Sequence, residues 1–565
     1  MFERLRLPSV MLNTALIKTI RSGDFQSTWR RNVMSGIVVG IVAVPLSMGL
    51  AIAVGLPPQH GLYTAIVAGI VIALLGGSPV NISGPTAAFV VILAPVVSQH
   101  GLSGLLISGL LAGIILVGMG VLKLGRFVQT IPYPIVIGFT AGIGTVIASM
   151  QLKDLVGLSP TDSGAEFFPR MHSYILALPS YQWQEAVVGF FTLATIFFWK
   201  KVPLRVPGYL VAMLLGTGIA LIFNQTPSLP DVDTIATRFN YMSDGMIFYG
   251  IPAVAPTFAI PWKFNVASLD EALTLFQSLF GAAFAIAILG ALESLLCAVV
   301  ADGMTGRQHD PDAELIGQGV GNIIVPFFGG IPATAAIART ALNVRSGGST
   351  PLAAAVHALF ILVIVLTLAP WLSLVPMATM AAILVAVAWN MSEAHHVVHL
   401  LRTAPGSDVS VFWVCYGLTV VVDMQVAVAA GMVLAAAMFM RRMSELTRST
   451  LLTERGVHPH QEHKADVVVF DVDGPLFFGA AHKALKVVTS VDISVRHVVL
   501  DLSGVPVIDT TGMVNIRSLA VSLRQRDIKL YLYGVSDRIR KKLERFGLSG
   551  DPHHVVITDD LTSIE

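Results

Sequence analysis

A few side chains in this chain have the types and spacing to bind and couple charge. Val80-Asn81-Ile82-Ser83-Gly84-Pro85-Thr86-Ala87-Ala88 and Gly330-Ile331-Pro332-Ala333-Thr334-Ala335-Ala336 look like copies of each other. Each opens on β-branched, Gly and Pro residues and runs on into an apolar helix. Two such segments facing each other would present free N–H groups and positive dipole ends, a site for an anion. Ser83, Thr86 and Thr334 can place hydroxyls beside it, or cap the two helices. Arg339 lies about one turn into the second helix, too deep to snorkel, and a guanidinium there pairs well with a carboxylate, sulfate or bicarbonate. It could also tether two moving parts. Glu293 stands in the otherwise apolar stretch 282–300, where an ionisable group is costly and marks a functional candidate. It is a candidate to load and release a proton. Cys297, one turn on, is a thiol and a poor ligand for sodium, which favours protons as the coupling ion. The repeat offset of about 248 residues carries Glu293 back to Pro45, beside Ser47, so one half alone supplies the carboxylate.

The elements that must position these groups are membrane spans. The chain has 565 residues, 54% hydrophobic and 13% charged, against about 25% charged in soluble proteins. Net charge is +1, which gives no reason to expect nucleic acid. Cys297 and Cys415 lie in apolar runs and read as buried thiols. No signal peptide is read at the N-terminus. Fourteen spans are expected, at 33–54, 62–76, 82–98, 102–122, 132–150, 184–199 and 207–224, then 272–300, 313–328, 332–346, 352–370, 374–389, 407–422 and 424–440. The copied segment is third in each set of seven. A set with an odd number of spans re-enters the membrane in the opposite sense, which gives a seven-plus-seven inverted repeat. With the N-terminus inside, the cytoplasmic loops hold Lys123, Arg126, Lys200, Lys201, Arg205, Arg307, Arg345, Arg402, Arg441 and Arg442. Two longer outer loops, about 151–182 and 225–270, carry mixed charge. Arg4, Arg6, Lys18 and Arg21 also sit at the cytoplasmic N-terminus. Both termini are therefore expected in the cytoplasm of a bacterial cell, with the protein in its inner membrane.

The expected domains are 1–32, a cytoplasmic segment; 33–440, the membrane part; 441–464, a linker; and 465–565, a small α/β domain. In this tail, strands are expected at 467–470, 497–502 and 529–533, and helices at 511–526 and 536–546. Asp509 or Thr510 could cap the first of these helices, and a hydroxyl there is also a place to stabilise a phosphate. His395 and His399 form an i,i+4 pair with nothing to complete a metal site, so a solvated helix end is expected. No Walker motif, nucleotide fingerprint or catalytic triad is present. Neither enzyme chemistry nor a cofactor nor a metal is expected.

Pro58-Gln59-His60-Gly61-Leu62-Tyr63, followed by Gly76-Gly77-Ser78, resembles the signature after the first span of the sulfate permease (SulP), or solute carrier 26, anion transporters. Two positions depart from it: His60 where Tyr is usual, and Pro79 where a basic residue is usual. The run Asp501–Gly512 is similar to a STAS domain, the fold of anti-sigma-factor antagonists. The position phosphorylated in those antagonists is Thr510 here, which makes Thr510 a candidate phosphosite. The resemblance implies a polytopic α-helical transporter of core and gate domains, moving like an elevator, usually as a homodimer. It also implies a cytoplasmic protein partner for the tail. Carried over residue by residue, Thr86, Glu293 and Arg339 match the family's positions in spans 3, 8 and 10. Ala338 stands where many sulfate transporters have Ser. Sodium-coupled bicarbonate members tend to have Thr there and at the position of Cys297. The runs from Glu293 to Val300 and from Ala388 to His395 resemble dicarboxylate-transporting members. The expected substrates are thus succinate, fumarate or aspartate with protons. Sulfate or bicarbonate transport, or a membrane sensor acting through the tail, are the alternatives.

Overall fold

The computed structural model describes residues 14–128, 131–161, 166–199, 201–203, 206–227, 229–243, 245–261, 269–446, 448–451, 467–477, 495–548 and 555–560. The expectations attached to Arg4, Arg6, Lys200, Arg205 and most of the 441–464 linker fall outside these. The chain divides into two compact units, residues 1–432 and 433–565.

The first unit begins with α1 (Ala15–Ser22), capped by Thr14, then α2 (Asp24–Ala53) and α3 (Gln59–Leu75). A two-residue strand, β1 (Ser83–Gly84), leads into α4 (Ala87–Val121). α4 is two spans divided at Gly101, whose φ of 64° lies in the region that favours glycine. There follow α5 (Gly125–Val128), α6 (Tyr133–Val156), α7 (Phe167–Leu176), α8 (Trp183–Trp199), α9 (Gly208–Asn224) and α10 (Ile235–Arg238). A hairpin of β2 (Asn240–Ser243) and β3 (Met246–Tyr249) closes the first half. The second half repeats the plan with α11 (Leu269–Thr305), α12 (Pro311–Ile324), β4 (Thr334–Ala335), α13 (Ile337–Arg345) and α14 (Leu352–Leu372). It ends with α15 (Met377–Met391), α16 (Ala394–Thr403), α17 (Gly406–Val421) and α18 (Met424–Leu446), which runs into the second unit.

Each of the fourteen expected spans falls on one of these helices. Spans 3 and 4 share α4, and spans 9 and 10 are the short α12 and α13. Among the described residues, seven helical stretches are long and apolar enough to cross a bilayer alone. The shorter ones stand among the longer helices, and helical structure satisfies their backbone groups internally. α2, α3, α4, α11, α12, α13 and α14 pack on one another; α6, α8, α9, α15 and α17 form a second group. α2 and α11 are mates in the repeat and run in opposite senses. At one end, Arg307, just past α11, donates to Asp24 at the start of α2 (3.2 Å). β1 and β4 likewise pair antiparallel, Ser83 opposite Ala335 and Gly84 opposite Thr334. The membrane core is closed by buried apolar side chains such as Met48, Leu62, Ile361 and Met380.

The second unit is a five-stranded sheet ordered β5 (Arg448–Leu451), β6 (Val467–Asp473), β7 (His497–Asp501), β8 (Lys529–Tyr533) and β9 (Val555–Thr558). Only the first pair is antiparallel. Between strands lie α19 (Thr510–Arg524) and α20 (Asp537–Arg545). Leu500, Ile516, Leu530, Leu532 and Leu543 fill the core between helices and sheet. The strand–helix–strand order from β7 to β9 follows from the alternating apolar runs.

Candidate functional site

The copied segments meet at the β1–β4 pair, and α4 and α13 start from it. Thr86 and Ala336 occupy the two N-cap positions, yet neither supplies a side-chain cap. The first-turn amides of two helices thus converge without the usual side-chain acceptors, a positive locus. The hydroxyls go elsewhere. Thr86 Oγ1 donates to Glu293 Oε2 (2.9 Å), and Thr334 Oγ1 lies 3.2 Å from the same oxygen. Glu293 on α11 therefore bonds to both broken segments at once. Thr334 Oγ1 is also 2.9 Å from the Ala335 carbonyl, a second acceptor for its one proton.

Arg339 is buried on α13. Its Nη2 donates to the Pro85 carbonyl, across the pair in the other half. Its Nη1 is buried and has no partner, so one face of a buried guanidinium is left to be satisfied. The approach is close at Gly84: a Cβ there would stand 2.7 Å from Arg339 Nη1, and the guanidinium would have to shift. Ala338 and Ile337, the first residues of α13, are exposed, and Glu293 is partly exposed. Thr86, Thr334 and Ser83 are buried.

The remaining candidates have the following surroundings. Ser83 Oγ accepts from Gln318 Nε2 (2.9 Å). Ser47 Oγ is buried on α2 with no partner, and the Ser47 backbone carbonyl packs on Gly61 of α3. The Cys297 thiol donates to Thr340 Oγ1 (3.2 Å), which itself accepts from the Ile82 amide (2.9 Å). Cys297 and Cys415 are both free thiols. His395 and His399 are exposed on α16, and His396 Nδ1 meets Glu393 at 3.0 Å. No metal-holding group of His, Cys, Asp or Glu occurs among the described residues. In the tail, Asp509 is the cap of α19, accepting from the Gly512 amide (2.7 Å), and Thr510 is exposed at the first helical position.

Sequence reasoning missed the braces that hold the broken segments. Glu314 on α12 accepts from the amides of Gly77 (2.9 Å) and Ser78 (3.0 Å) and from Asn81 Nδ2 (2.9 Å). Gln318, one turn on, reaches Ser83. Asn322, another turn on, exchanges two bonds with the backbone of Ala333, each 2.8 Å. In the first half, His60 Nδ1–H on α3 donates to the Gly329 carbonyl (2.6 Å), and Thr64 Oγ1 lies 3.0 Å from the Ile331 carbonyl. His60 and Thr64 of the first half thus brace the second broken segment, Glu314 and Gln318 of the second half brace the first, and Asn322 braces that of its own half. The signal was present as paired polar residues four apart in two otherwise apolar spans. His60 departs from the family signature at one of these bracing positions.

These features define a helical membrane transporter: an inverted pair of broken helices around one charged site, with an α/β domain at the C-terminal end. A match to the Sulfate permease family covers residues 29–415, and a match to the STAS domain covers 458–558. The chain belongs to the sulfate permease family of anion transporters. It is 37% identical to YvdB of Bacillus subtilis, proposed by its name to be a sulfate transporter, over 94% of this chain and 97% of that protein. It is 29% identical to the bicarbonate transporter BicA of Picosynechococcus, over 92% and 91% of the two chains. The transmembrane domain of a cyanobacterial BicA superposes with a TM-score of 0.60 at 27% identity, covering 71% of this chain and 97% of that one. Murine solute carrier 26 member A9, an anion transporter in the inward-facing state, shares the fold with a TM-score of 0.83 at 16% identity, over 99% of this chain and 95% of that one.

Proposed function

We propose that this chain is a secondary transporter of a small oxyanion, sulfate or bicarbonate, bound at the β1–β4 pair between the starts of α4 and α13. The observation that carries the reading is the unpartnered Nη1 of buried Arg339 beside two uncapped helix starts. Relatives named for sulfate and bicarbonate across nearly the whole chain support this choice of anion over the four-carbon dicarboxylate expected from local runs. Arg339 supplies charge, the helix starts supply N–H donors, and Thr86 and Thr334 adjoin them.

Glu293 is the coupling group, and the ion is a proton. When it is ionised, both hydroxyls donate to it. When it is protonated, its O–H can donate to Thr334 Oγ1 while Thr334 donates to the Ala335 carbonyl, 2.9 Å away. The bond to Thr334 reverses while Thr86 goes on donating, without any atom leaving the site. An elevator-like movement of the group containing α4 and α13 against the group containing α6 and α15, in a homodimer in a bacterial inner membrane with both termini inside, completes the proposal. Thr510, exposed at a helix start, stays a candidate phosphosite and docking position for a cytoplasmic partner.

One observation favours dicarboxylates instead: the exposed first turn of α13 presents Ala338, a methyl, where a hydroxyl would serve an inorganic oxyanion. Uptake by purified protein in liposomes, competed by sulfate, bicarbonate, succinate and fumarate with and without a pH gradient, separates the readings. Competition by sulfate or bicarbonate is expected, and competition by the dicarboxylates alone overturns the choice of substrate. Glu293→Gln is expected to abolish the response to the gradient; an unchanged response removes Glu293 from coupling.

A further inference from the structure

A crevice of about 480 Å³ lies between the two helix groups of the membrane unit. Pro45 of α2, Phe360 and Trp371 of α14, and Val375 of the α14–α15 connection form one wall; Leu210 and Gly218 of α9 form the other. Its lining is almost wholly apolar and contains no charged side chain. The one hydroxyl, that of Thr217, is turned back onto the Met213 carbonyl of its own helix (2.8 Å). Gly218 opens it: a Cβ there would meet nothing within 4 Å.

We propose that this crevice is a binding site for a single lipid acyl chain, intercalated from the bilayer between α9 and α14. Three observations choose that occupant. The crevice opens among apolar side chains that face outward on spanning helices, with Leu214, Ile222, Val363 and Trp371 all more than half exposed. Such a surface on a spanning helix meets hydrocarbon. The lining offers no cation for a headgroup, and beyond Thr217 its polar group is the indole N–H of Trp371, on a ring more than half exposed. The volume lies in the range of small-ligand cavities. A spanning helix from a second copy, about 10 Å across and 30 Å long, would take up roughly five times as much.

The position gives the chain a consequence. Leu374 and Val375 line the crevice and belong to the connection that joins α14 of one group to α15 of the other. The chain therefore touches both groups and the link between them. Any movement of one group against the other has to reshape its site. This consequence rests on the elevator reading; the binding itself does not.

The test uses the full-length protein in detergent micelles without substrate, titrated with phosphatidylcholine brominated on its acyl chain. The readout is the fluorescence quenched in the native protein minus that quenched in Trp371→Phe. Quenching of Trp371 is expected to saturate at a few lipids per protein. Gly218→Leu, which fills the crevice, is expected to lower the saturable part several-fold. Phe360→Ala, which widens it, is expected to raise lipid affinity. Leu215→Phe, exposed on α9 outside the crevice, is expected to change nothing. Quenching that grows in proportion to lipid and is the same in all variants indicates boundary lipid only and overturns the proposal. So does quenching that appears only when light scattering shows dissociation to monomers, which would make a second copy the occupant. Since no anion is present, failure here leaves the anion reading standing, and failure of the uptake assay leaves this site standing.

Discussion

Glu293 joins the two halves of the protein through one oxygen, and Arg339 joins them through one nitrogen. Thr86 comes from the first broken segment and Thr334 from the second, and both reach Glu293 Oε2. Arg339 in the second half donates to the Pro85 carbonyl in the first. The site is thus one unit with two sources, and small changes on either side reach the other. Gly84 is the narrowest point, because the guanidinium passes where a side chain would begin. Gly84→Ala is expected to displace the unpartnered Arg339 Nη1 and weaken anion binding about tenfold or more, since a hydrogen bond to a charged group contributes roughly 1.5–3 kcal/mol. Binding measured by calorimetry on the purified variant checks it. Stability is expected to fall less than affinity, because the atom displaced is the free end of a long side chain.

At the scale of elements, the braces decide whether the broken helices can exist. Residues 76–86 and 330–336 leave the helical ladder inside the membrane, and each freed amide or carbonyl needs a partner there. α12 supplies Glu314, Gln318 and Asn322; α3 supplies His60 and Thr64. Glu314→Ala leaves the amides of Gly77 and Ser78 and the side-chain amide of Asn81 without this acceptor. It is expected to cost about 3 kcal/mol or more, read as a fall in melting temperature of the detergent-solubilised protein. A second element-level device lies at the other end. The segment around α10 is tied to the α14–α15 connection by Ile235 N–H to the Val375 carbonyl (3.0 Å), Ala236 N–H to the Ser373 carbonyl (2.8 Å) and Met377 N–H to the Asp233 carbonyl (2.8 Å). Arg238 fastens it by bonding Asp154 (3.1 Å) and Asp233 (3.0 Å), while Glu185 accepts from the Asp233 amide (2.6 Å). Without the guanidinium, three carboxyl groups crowd together. Arg238→Ala is expected to speed hydrogen exchange at the amides of Ile235 and Ala236 several-fold, with no change at the Glu314 braces.

The whole molecule is two units with separate cores, and their stabilities are expected to separate. Ile516 is fully buried in the second unit, between α19 and the sheet. Ile516→Ala removes three methylene-sized groups and leaves a cavity, at a cost of about 2–5 kcal/mol. In calorimetry of the full-length protein, only the transition of the C-terminal unit is expected to move. Uptake at temperatures below that transition is expected to persist, because the charged site lies wholly in the first unit.

The sequence by itself determined the class of fold and the main charged groups. Long apolar runs admit only helices in a bilayer, and an ionisable residue in such a run announces itself, as Glu293 and Arg339 did. The odd count of spans dictated the inversion, and the apolar runs of the tail dictated its alternation of strands and helices. Tertiary structure alone decided what the hydroxyls do. Thr86 and Thr334 sit where capping was as reasonable as anything else, and they turn instead to a carboxylate on a helix some two hundred residues away in sequence for Thr86. It also decided that Ser83 accepts from Gln318 and Cys297 donates to Thr340, and that α3 and α12 exchange braces between the halves. Composition and periodicity record which face of a helix is apolar. They carry no record of which polar atoms meet across the fold, because those meetings depend on how the helices are placed against one another.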